Sequence, residues 1–539
     1  MIKNIHTNFI LTVIAWLLIF NFQTANGKTI YLKGKVYNDL NRNGFYDKEE
    51  KGVAGVSVSN GTEVVVTDSN GDYKIPVSAY QTVFVIKPSG YQLPMDEFGI
   101  SKGYYHYYPE GTPPMDGPGI APTGKLPKQL DFGLYKVEEK TTFKIALWGD
   151  TQAGGEVDWN HINKLVAEEI IKDGGVDFSV LLGDITHDNV NIFSAAKQTL
   201  KICKMPMHVV PGNHDRDYDV LATDPALDMT SFKNAFGPSH YAFNYGKVHF
   251  IVLNDIVTVT SDLITTNTHG DYEEKLSKEQ LDFVKNDLAF VPKDRLVVFC
   301  QHAPLADISN YQELQQLLAD RQNLLAISGH NHWLHQEYLS VSEDNVMHEI
   351  IAGATCGSIW TGALDWEGIP LSVMSDGVPK GYAYLMVDGT DYKLQYKASK
   401  MPVDKQMQIW IYEKNKWDWG MSVPENLTER SIVANVFTGS DSTMVTMRID
   451  EGEWQPMDKK LIPDPYLIRW RYLESKGVGV SDMTNTLNFS PVQENPHIWV
   501  GSYPETLSTG VHKVEIKTQD PIFGNFYDVR VFRVNGSGE

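Results

Sequence analysis

The middle of the chain carries five short motifs whose residue types bind metal ions. In chain order they are Gly-Asp, Gly-Asp, Gly-Asn-His-Asp, a single histidine and Gly-His-Asn-His. Carboxylates and an amide oxygen suit hard cations, imidazoles suit Mn, Fe or Zn, and one carboxylate can bridge two ions. The motifs therefore predict a centre for two divalent ions, with a ligand set that Mn, Fe, Zn and Mg would all accept. Its candidate ligands are Asp150, Asp184, Asn213, His214, Asp215, His302, His330 and His332.

A centre of this kind can activate water and stabilise developing negative charge, which suits hydrolysis of an ester such as a phosphoester. Two cations about 3.5 to 4 Å apart lower the pKa of a shared water and neutralise charge on the phosphoryl oxygens. His214 is a candidate general acid, because a cationic imidazole can protonate the departing alkoxide. Taken alone, a Gly-Asp pair is a turn and a histidine on an apolar strand is a core residue. The occurrence of all five motifs together favours the metal centre.

Each motif directly follows a run of apolar residues typical of a buried strand. The runs alternate with stretches of helical pattern, which predicts a layered α/β domain. In such sheets ligands bind at the carboxyl ends of the strands. The predicted strands are 143–148, 177–182, 207–210, 248–253, 295–299 and 324–327, and the predicted helices lie near 160–172, 191–203, 277–289 and 311–320.

The order GD, GD, GNHD, H, GHxH over residues 143 to about 355 resembles the calcineurin-like metallophosphoesterase superfamily. The resemblance implies a β-sandwich flanked by helices and a two-metal phosphoester hydrolase. It implies that Asp150 and His332 hold the first metal and that Asp184 bridges to the second. It further implies that His214 serves the leaving group. The ligands implied for the second metal are Asn213, His302 and His330.

Two positions depart from the family pattern. The first motif of the family usually ends in histidine, whereas Gln152 stands here, and an amide oxygen is a weaker, uncharged ligand. In phosphoprotein phosphatases of the family, an aspartate three residues after the bridging aspartate orients the catalytic histidine. That position holds His187 here, with Asp188 beside it, and either could take this role. Asp215 is a third candidate for a residue that supports the site without binding a metal ion.

Aromatic residues follow the last motif in two Gly-rich segments, 353–366 and 375–382. Trp360, Trp366 and Tyr382 could wall a substrate pocket, since flat apolar faces stack on sugars or bases. Ordinary packing of a loop onto the sheet edge explains them equally well.

A second candidate metal site lies near the N-terminus. Residues 39–50 fit the template of a calcium loop, with oxygen side chains at positions 1, 3, 5, 9 and 12 and Gly at 6. The loop resembles those of bacterial cell-surface B-type β domains, and the alternative is a Gly/Asx turn without an ion. The predicted calcium ligands are Asp39, Asn41, Asn43, the Phe45 carbonyl, Asp47 and Glu50.

The 539 residues are too many for one core and predict several domains. Short β-branched runs predict an N-terminal β-sandwich over 28–136, and similar runs predict a β-rich domain over 400–539. The metal motifs lie in the α/β domain between them, 143–399. The predicted fold class is thus α/β (α+β) multidomain, a central metallophosphoesterase β-sandwich flanked by helices between two all-β domains.

The first 27 residues have the layout of a secretory signal, with Lys3, an apolar run over 9–22 and small residues at 25–27. This predicts export to the periplasm or the cell surface. The 14-residue run is short for a spanning helix, so a permanent anchor is the weaker interpretation, and no later segment predicts a transmembrane span.

Three widely spaced cysteines exclude a disulfide framework.

The net charge of −21 argues against binding a nucleic-acid polymer, because an acidic surface repels phosphates. Two divalent ions would make the pocket locally cationic all the same. We therefore expect an exported dinuclear phosphoesterase for a small-molecule or glycan- or lipid-linked phosphoester, whether monoester or diester. The alternative is a non-catalytic adhesion or carbohydrate-binding protein built on the same core.

Overall fold

The computed structural model describes residues 30–220, 225–259, 272–412, 423–476 and 492–535. The predicted signal peptide, 1–27, lies outside the described residues. Along the chain, a β-rich region is followed by an α/β region and then by a second β-rich region. Among the described residues, no helix is both long and apolar enough to cross a membrane.

The N-terminal region consists of two four-stranded sheets around a shared core. Its strands are β1 Tyr31–Asn38, β2 Ser57–Ser59, β3 Val64–Val66, β4 Asp72–Pro76, β5 Gln81–Val85, β6 Tyr91–Gln92, β7 Tyr104–Tyr107 and β8 Phe132–Lys136. The sheets have the orders β4-β1-β8-β6 and β3-β2-β5-β7. Leu32 and Val36 on one sheet and Val58 and Val83 on the other bury their side chains between them. This is the architecture of a β-sandwich.

The middle region alternates strands and helices as predicted. Its strands are β9 Thr142–Trp148, β10 Phe178–Leu182, β11 Met207–Val210, β12 Tyr241–Tyr245, β13 Val248–Val252, β14 Ile256–Thr258, β15 Tyr272–Glu274, β16 Leu296–Cys300, β17 Leu324–Ser328, β18 Leu334–Ser342, β19 Asn345–Ala352, β20 Gly381–Asp388 and β21 Asp391–Ala398. Its helices are α1 Glu156–Ile162, α2 Glu168–Asp173, α3 Phe193–Cys203, α4 Thr230–Phe236, α5 Lys278–Leu288 and α6 Tyr311–Leu318, with a π-helical segment, Asn163–Ala167, joining α1 to α2.

Two sheets face each other in this region. The first has the order β11-β10-β9-β20-β21 and the second β12-β13-β16-β17-β19-β18, while β14 and β15 form a separate ribbon. Strands β9, β10 and β11 are parallel, as are β13, β16, β17 and β19. The core between the sheets contains Leu147, Val180, Phe250, Val298 and Ile327. Helices α1–α3 cover the outer face of the first sheet, and α5 and α6 cover that of the second.

Burial on both faces explains why the strands read as continuous apolar runs. In β9, Ile145 and Leu147 belong to the core between the sheets, whereas Ala146 and Trp148 belong to the core under the helices. A strand covered on both sides favours apolar side chains at consecutive positions. The predicted β-sandwich flanked by helices is therefore confirmed.

The C-terminal region adds two more four-stranded sheets. Its elements are β22 Met407–Ile411, β23 Ser431–Val436, β24 Met444–Ile449, β25 Gln455–Pro456, β26 Asp458–Ile462, helix α7 Pro465–Ser475, β27 Asn495–Ser502, β28 Gly510–Asp520 and β29 Gly524–Val534. The sheets have the orders β22-β23-β27-β26 and β25-β24-β28-β29. Ile409 and Ile432 on the first pack with Val445 and Ile516 on the second.

Both outer regions pack on the α/β region through apolar side chains. Phe84 of β5 contacts Phe283 of α5, with ring centroids 5.7 Å apart. Phe437 and Phe523 of the C-terminal region belong to the same buried core as Leu385 of β20. The three regions are therefore joined by continuous hydrophobic contact.

Candidate metal centre

Five strand ends bring the predicted ligands to one edge of the sandwich. In the first sheet, Asp150 follows β9, Asp184 follows β10 and Asn213 follows β11. In the second sheet, His302 follows β16, and the Gly-His-Asn-His motif follows β17. The first sheet thus supplies the carboxylates and the amide, and the second supplies the imidazoles. This convergence follows from parallel strands, whose carboxyl ends meet at one edge.

Asp150, Asp184 and His332 form one group of candidate ligands. One ligand atom of each lies within 4.8 Å of those of the other two. His332 Nε2 is 3.5 Å from Asp150 Oδ1, and its other ring nitrogen, Nδ1, donates to the Ser358 carbonyl at 2.6 Å. A ring nitrogen that donates to a carbonyl fixes the tautomer and leaves the opposite nitrogen free to ligate. The Nε2 atom of His332 therefore faces the carboxylates as a metal ligand would.

Asp184, His302 and His330 form a second group, and Asp184 is common to both groups. His302 Nε2 lies 3.3 Å from Asp184 Oδ1, 3.0 Å from Asn213 Oδ1 and 3.1 Å from His330 Nδ1. His302 Nδ1 contacts the Leu182 carbonyl at 2.8 Å, which makes Nδ1 the donor and Nε2 the lone-pair atom of the neutral ring.

The carboxylate oxygens of Asp150 and Asp184, the amide oxygen of Asn213 and the ring nitrogens of the histidines repel one another. A positive charge among them is needed to stabilise this arrangement. Burial disfavours the cationic form of His302, but Asp184, Asp150 and Asp255 outweigh it and raise the pKa of the ring to about 10. The proton that these carboxylates attract stands in for a cation. The residues therefore fit divalent ions, as the chemistry of the donor set requires.

Gln152 lies at the margin of the first group. Its Nε2 donates to Asp184 Oδ2 at 3.2 Å, and its Oε1 accepts from the Cys356 thiol at 3.7 Å. The amide nitrogen therefore faces the carboxylate, and the oxygen faces away from it. Ligation by the oxygen requires the amide to rotate, so the role of Gln152 as a ligand stays a prediction. The contact with Cys356 was missed from the sequence, because residue 356 carries no motif.

His214 lies beside the shared carboxylate. Its backbone N–H donates to Asp184 Oδ1 at 2.9 Å, and its Nε2 is 4.0 Å from Asp184 Oδ2. Its Nδ1 contacts Asp188 Oδ1 at 2.6 Å, whereas His187 stacks on the ring with centroids 4.8 Å apart. Of the two alternatives, Asp188 is thus the residue placed to orient the imidazole. Burial opposes the cationic ring, but Asp184 and Asp188 prevail and raise the pKa of His214.

Asp215 supports the loops and does not face the ligand groups. Its carboxylate accepts the backbone N–H groups of Gly212, Ile185 and Thr186 at 3.0, 3.1 and 3.0 Å. It therefore ties the loop after β11 to the loop after β10. Burial, with the nearby charge of Asp184, raises the pKa of Asp215 to about 7.

The backbone at this edge is strained. Several non-glycine residues of the site have positive φ, a conformation that costs about 1–3 kcal/mol each and persists only where the surroundings enforce it. Strain of this kind collects at functional sites. The residues are Asp150 (30°), Gln152 (40°), Asp184 (47°), Asp188 (61°), His330 (70°) and His332 (51°).

The three aromatic residues predicted to wall a pocket occupy different surroundings. Trp360 is half-buried and its indole N–H donates to the Thr151 carbonyl at 2.8 Å, next to the first motif. Trp366 is 92% exposed. Tyr382 has no exposed surface and packs under the helices, with its hydroxyl 3.3 Å from that of Tyr384. The prediction for Tyr382 was wrong, because its position in β20 turns its ring away from the edge of the sandwich.

The predicted calcium loop is closed by its own hydrogen bonds. Asp39 accepts the backbone N–H groups of Asn43 and Gly44 at 3.2 and 2.9 Å. Glu50 accepts those of Leu40 and Asp47 at 2.7 and 3.0 Å. The Asp47 carboxylate accepts the side-chain amides of Asn41 and Asn43, and Phe45 is exposed.

Three family models match the chain. The model "Calcineurin-like phosphoesterase" matches residues 143–334, which contain all five motifs. The models for the N terminal and the C terminal of calcineurin-like phosphoesterase match residues 40–114 and 349–527. The chain belongs to the calcineurin-like phosphoesterase family.

Matches to individual proteins are partial. The chain is 24% identical over 170 residues to a probable glycerophosphodiester phosphodiesterase GpdQ of Arcobacter nitrofigilis, covering 31% of this chain and 55% of that protein. It is 30% identical over 143 residues to serine-aspartate repeat-containing protein D of Staphylococcus aureus, covering 24% of this chain and 10% of that protein. The chain thus spans about half the length of the first relative and a tenth of the second.

A purple acid phosphatase from yellow lupin seeds aligns with 65% of this chain and 69% of its own, at 14% identity and a TM-score of 0.35. The family assignment therefore depends on the family models and the site. Membership of this family implies that the chain binds divalent metal ions. The two groups that would hold them are Asp150, Asp184 and His332, and Asp184, His302 and His330.

Replacing Gly183 with alanine should disrupt the ligand group of His302. Gly183 has φ of 90°, and a Cβ atom there would lie 2.3 Å from His302 Nδ1. Because a shift of about 1 Å can lower turnover 100-fold, we expect about that loss for Gly183→Ala, together with less bound metal. Turnover and metal content are to be measured.

The control is Gly389→Ala, which has φ of 66° but no atom within 4 Å of the new Cβ. It bears a comparable strain from positive φ, about 1–3 kcal/mol, without the clash. Equal losses in both variants would contradict the proposed displacement of His302.

Removing the charge of Asp188 should shift the alkaline limb of the pH–rate profile. The Asp188 carboxylate raises the pKa of His214, and a general acid acts only while protonated. In Asp188→Asn the pKa of His214 falls, so the alkaline limb of kcat/KM should move to lower pH. Asp219 is exposed, and Asp219→Asn is the control variant, which should leave the alkaline limb in place. An unshifted alkaline limb in Asp188→Asn would argue against the pairing of Asp188 with His214.

Proposed function

We propose that the chain is an exported, dinuclear metal-dependent phosphoesterase in which His214 is the general acid. The observation that carries the proposal is the Asp184 carboxylate, which belongs to both ligand groups and lies 4.0 Å from His214 Nε2. A carboxylate shared in this way is suited to bridge two ions.

The residues that would hold the ions divide into two sets. Asp150, His332 and, after rotation of its amide, Gln152 would hold the first ion, and Asp184 would bridge. The second set is Asn213, His302 and His330. When bound, divalent ions supply an activated water and positive charge against the phosphoryl oxygens. Mn, Fe, Zn and Mg all suit these donors.

His214 and Asp188 provide the acid. Nδ1 of the ring is held by the Asp188 carboxylate, so a proton at Nε2 is directed towards the shared carboxylate and the space beside it. Burial disfavours the cationic ring, but the charges of Asp184 and Asp188 outweigh it and raise the pKa of His214, which favours the protonated ring. In the reaction the Nε2 proton passes to the leaving alkoxide, as a positioned acid of matched pKa does.

The substrate we propose is a small-molecule or glycan- or lipid-linked phosphoester. The net charge of −21 opposes binding of long polyanions, while bound cations would attract a single phosphate group. The similarity to a protein named as a probable glycerophosphodiester phosphodiesterase supports a diester. The indole N–H of Trp360 donates to the Thr151 carbonyl beside the first motif, which supports Trp360 as the aromatic residue that contacts the substrate group.

Hydrolysis assays separate this function from that of a non-catalytic adhesion protein. The purified chain, supplied with Mn, Fe, Zn or Mg, should hydrolyse bis-p-nitrophenyl phosphate or p-nitrophenyl phosphate. A preference for the former would identify a diesterase. Bound metal without turnover of either ester would favour the adhesion protein.

Replacing His214 with glutamine should affect poor leaving groups most. General acids contribute about 10²–10⁴-fold, and chiefly where the alkoxide is basic. We expect His214→Gln to lose about that factor on an alkyl phosphoester and much less on a p-nitrophenyl ester, with metal content retained. Loss of metal, or equal losses on both esters, would contradict the assignment.

Export is part of the proposal and depends on residues 1–27, which lie outside the described part of the chain. In the native host, the mature protein should begin at Lys28 and occur outside the cytoplasm. N-terminal sequencing of the fractionated protein tests this.

We also propose that residues 39–50 bind calcium. Five oxygen side chains and the Phe45 carbonyl meet the ligand count, and affinities of about 10⁻⁴–10⁻³ M are typical of extracellular modules. Calorimetric titration of the full chain should detect such a site, and Asp39→Asn should abolish it. Asp68→Asn is the control, because Asp68 is exposed and lies outside the loop. The absence of binding at millimolar calcium would rule the site out.

A further inference from the structure

A buried turn connects the metal centre to the C-terminal region. In residues 374–378, the Met374 N–H donates to the Val378 carbonyl and the Gly377 N–H donates to the Met374 carbonyl, both at 3.0 Å. Asp376, at the middle of the turn, is 1% exposed. Its carboxylate accepts hydrogen bonds from the α/β region and from the C-terminal region, and its carbonyl accepts hydrogen bonds from the C-terminal region.

On one side, the turn holds the backbone around His332. The Ser375 N–H donates to the His332 carbonyl at 3.1 Å, and the Ser375 hydroxyl donates to the same atom at 3.3 Å. Two residues further along, the Leu334 N–H donates to Asp376 Oδ2 at 2.8 Å. The position of His332, which has positive φ, therefore depends on where this turn lies.

On the other side, three side chains of the C-terminal region hold the turn. His497 Nε2 contacts Asp376 Oδ2 at 3.2 Å. The side-chain amides of Asn435 and Asn495 donate to the Asp376 carbonyl at 2.9 and 2.6 Å. His497 Nδ1 contacts Asn435 Oδ1 at 2.9 Å, so these side chains form one network.

The network is closed to water and closely packed. Asp376, Asn435, Asn495 and His497 are each at most 1% exposed. Without the donors of the C-terminal region, the Asp376 carboxylate would keep only the backbone N–H groups of Leu334 and Val378, and its carbonyl would lose both amide donors. Because buried acceptors that lose donors are destabilised, the turn would then shift. Gly377 fits at this contact only because it has no side chain: its φ is 79°, and a Cβ would lie 2.6 Å from Asp464.

We propose that His497, Asn435 and Asn495 are positioning residues for the metal site of His332. The C-terminal region is then part of the metal centre: its polar side chains set the affinity of one ion and leave the other unaffected. The inference depends on the proposed function only in requiring two bound divalent ions. Outer partners of metal ligands change affinity by about 10–100-fold when removed.

The test is a Mn²⁺ titration of the metal-free full chain. In His497→Leu, the affinity of one site should fall about 10–100-fold while the other keeps the wild-type value. At saturating Mn²⁺ the turnover of His497→Leu should return towards that of the wild type. The variant would then differ in the Mn²⁺ concentration that it needs for activity, and not in the activity of the loaded enzyme. His497→Gln, which keeps a donor for Asp376, should recover most of the affinity.

A double variant identifies the affected site. His332→Ala removes a ligand of the first group, so adding His497→Leu to it should change the remaining affinity no further. His512→Leu is the matched control, since His512 also pairs with an aspartate, Asp450, at 2.8 Å, but in the other sheet of the C-terminal region.

Equal weakening of both sites in His497→Leu, or unchanged affinities, would overturn the proposal, as would the same loss in His512→Leu. If His497→Leu does not fold, Asn495→Ser removes one donor to the Asp376 carbonyl and is titrated in its place. Wild-type protein that binds two Mn²⁺ ions without hydrolysing phosphoesters would refute the proposed function alone. Wild-type protein that binds no Mn²⁺ would overturn both.

Discussion

The site depends on the mutual repulsion of electron-rich atoms that the fold forces together. Asp150, Asp184, Asn213, His302 and His330 point lone pairs or negative charge at one small volume, away from water. Carboxylates in such surroundings are stable only with a counter-charge. The hydrogen bonds of the loops and the packing of both sheets hold the atoms in place against this repulsion. The same constraint makes the site attract cations.

Much of this arrangement could be predicted from the sequence. Strands buried on both faces read as continuous apolar runs, and each motif lies at the carboxyl end of a run, where parallel strands share an edge. The sequence pattern alone therefore predicts that Asp150, Asp184 and His302 are neighbours. The family resemblance implied which ligands share an ion; the structure brings Asp150, Asp184 and His332 together in one group and Asp184, His302 and His330 in another.

Other features depend on contacts that leave no local signal. Tyr382 lies in a strand whose orientation decides which face receives its ring, and the predicted pocket role failed for that reason. Cys356 and Ser358 follow β19 in a segment without regular structure, so their contacts with Gln152 and His332 had no periodic pattern to indicate them. His497 reaches Asp376 across 121 residues of sequence. Tertiary packing alone brings such pairs together.

The spread of the ligands along the chain has a consequence for the order of assembly. Most of the α/β region lies between Asp150 and His332 in the chain, and the turn that holds His332 is completed by strands still further on. Closing such long loops is slow and precedes any gain from the contacts they allow. If the C-terminal region positions His332 as proposed, an ion meets a complete set of donors only after that region has docked on the α/β region. Metal capture is then a late event in folding, and an exported chain would acquire its ions in the compartment where it finishes folding.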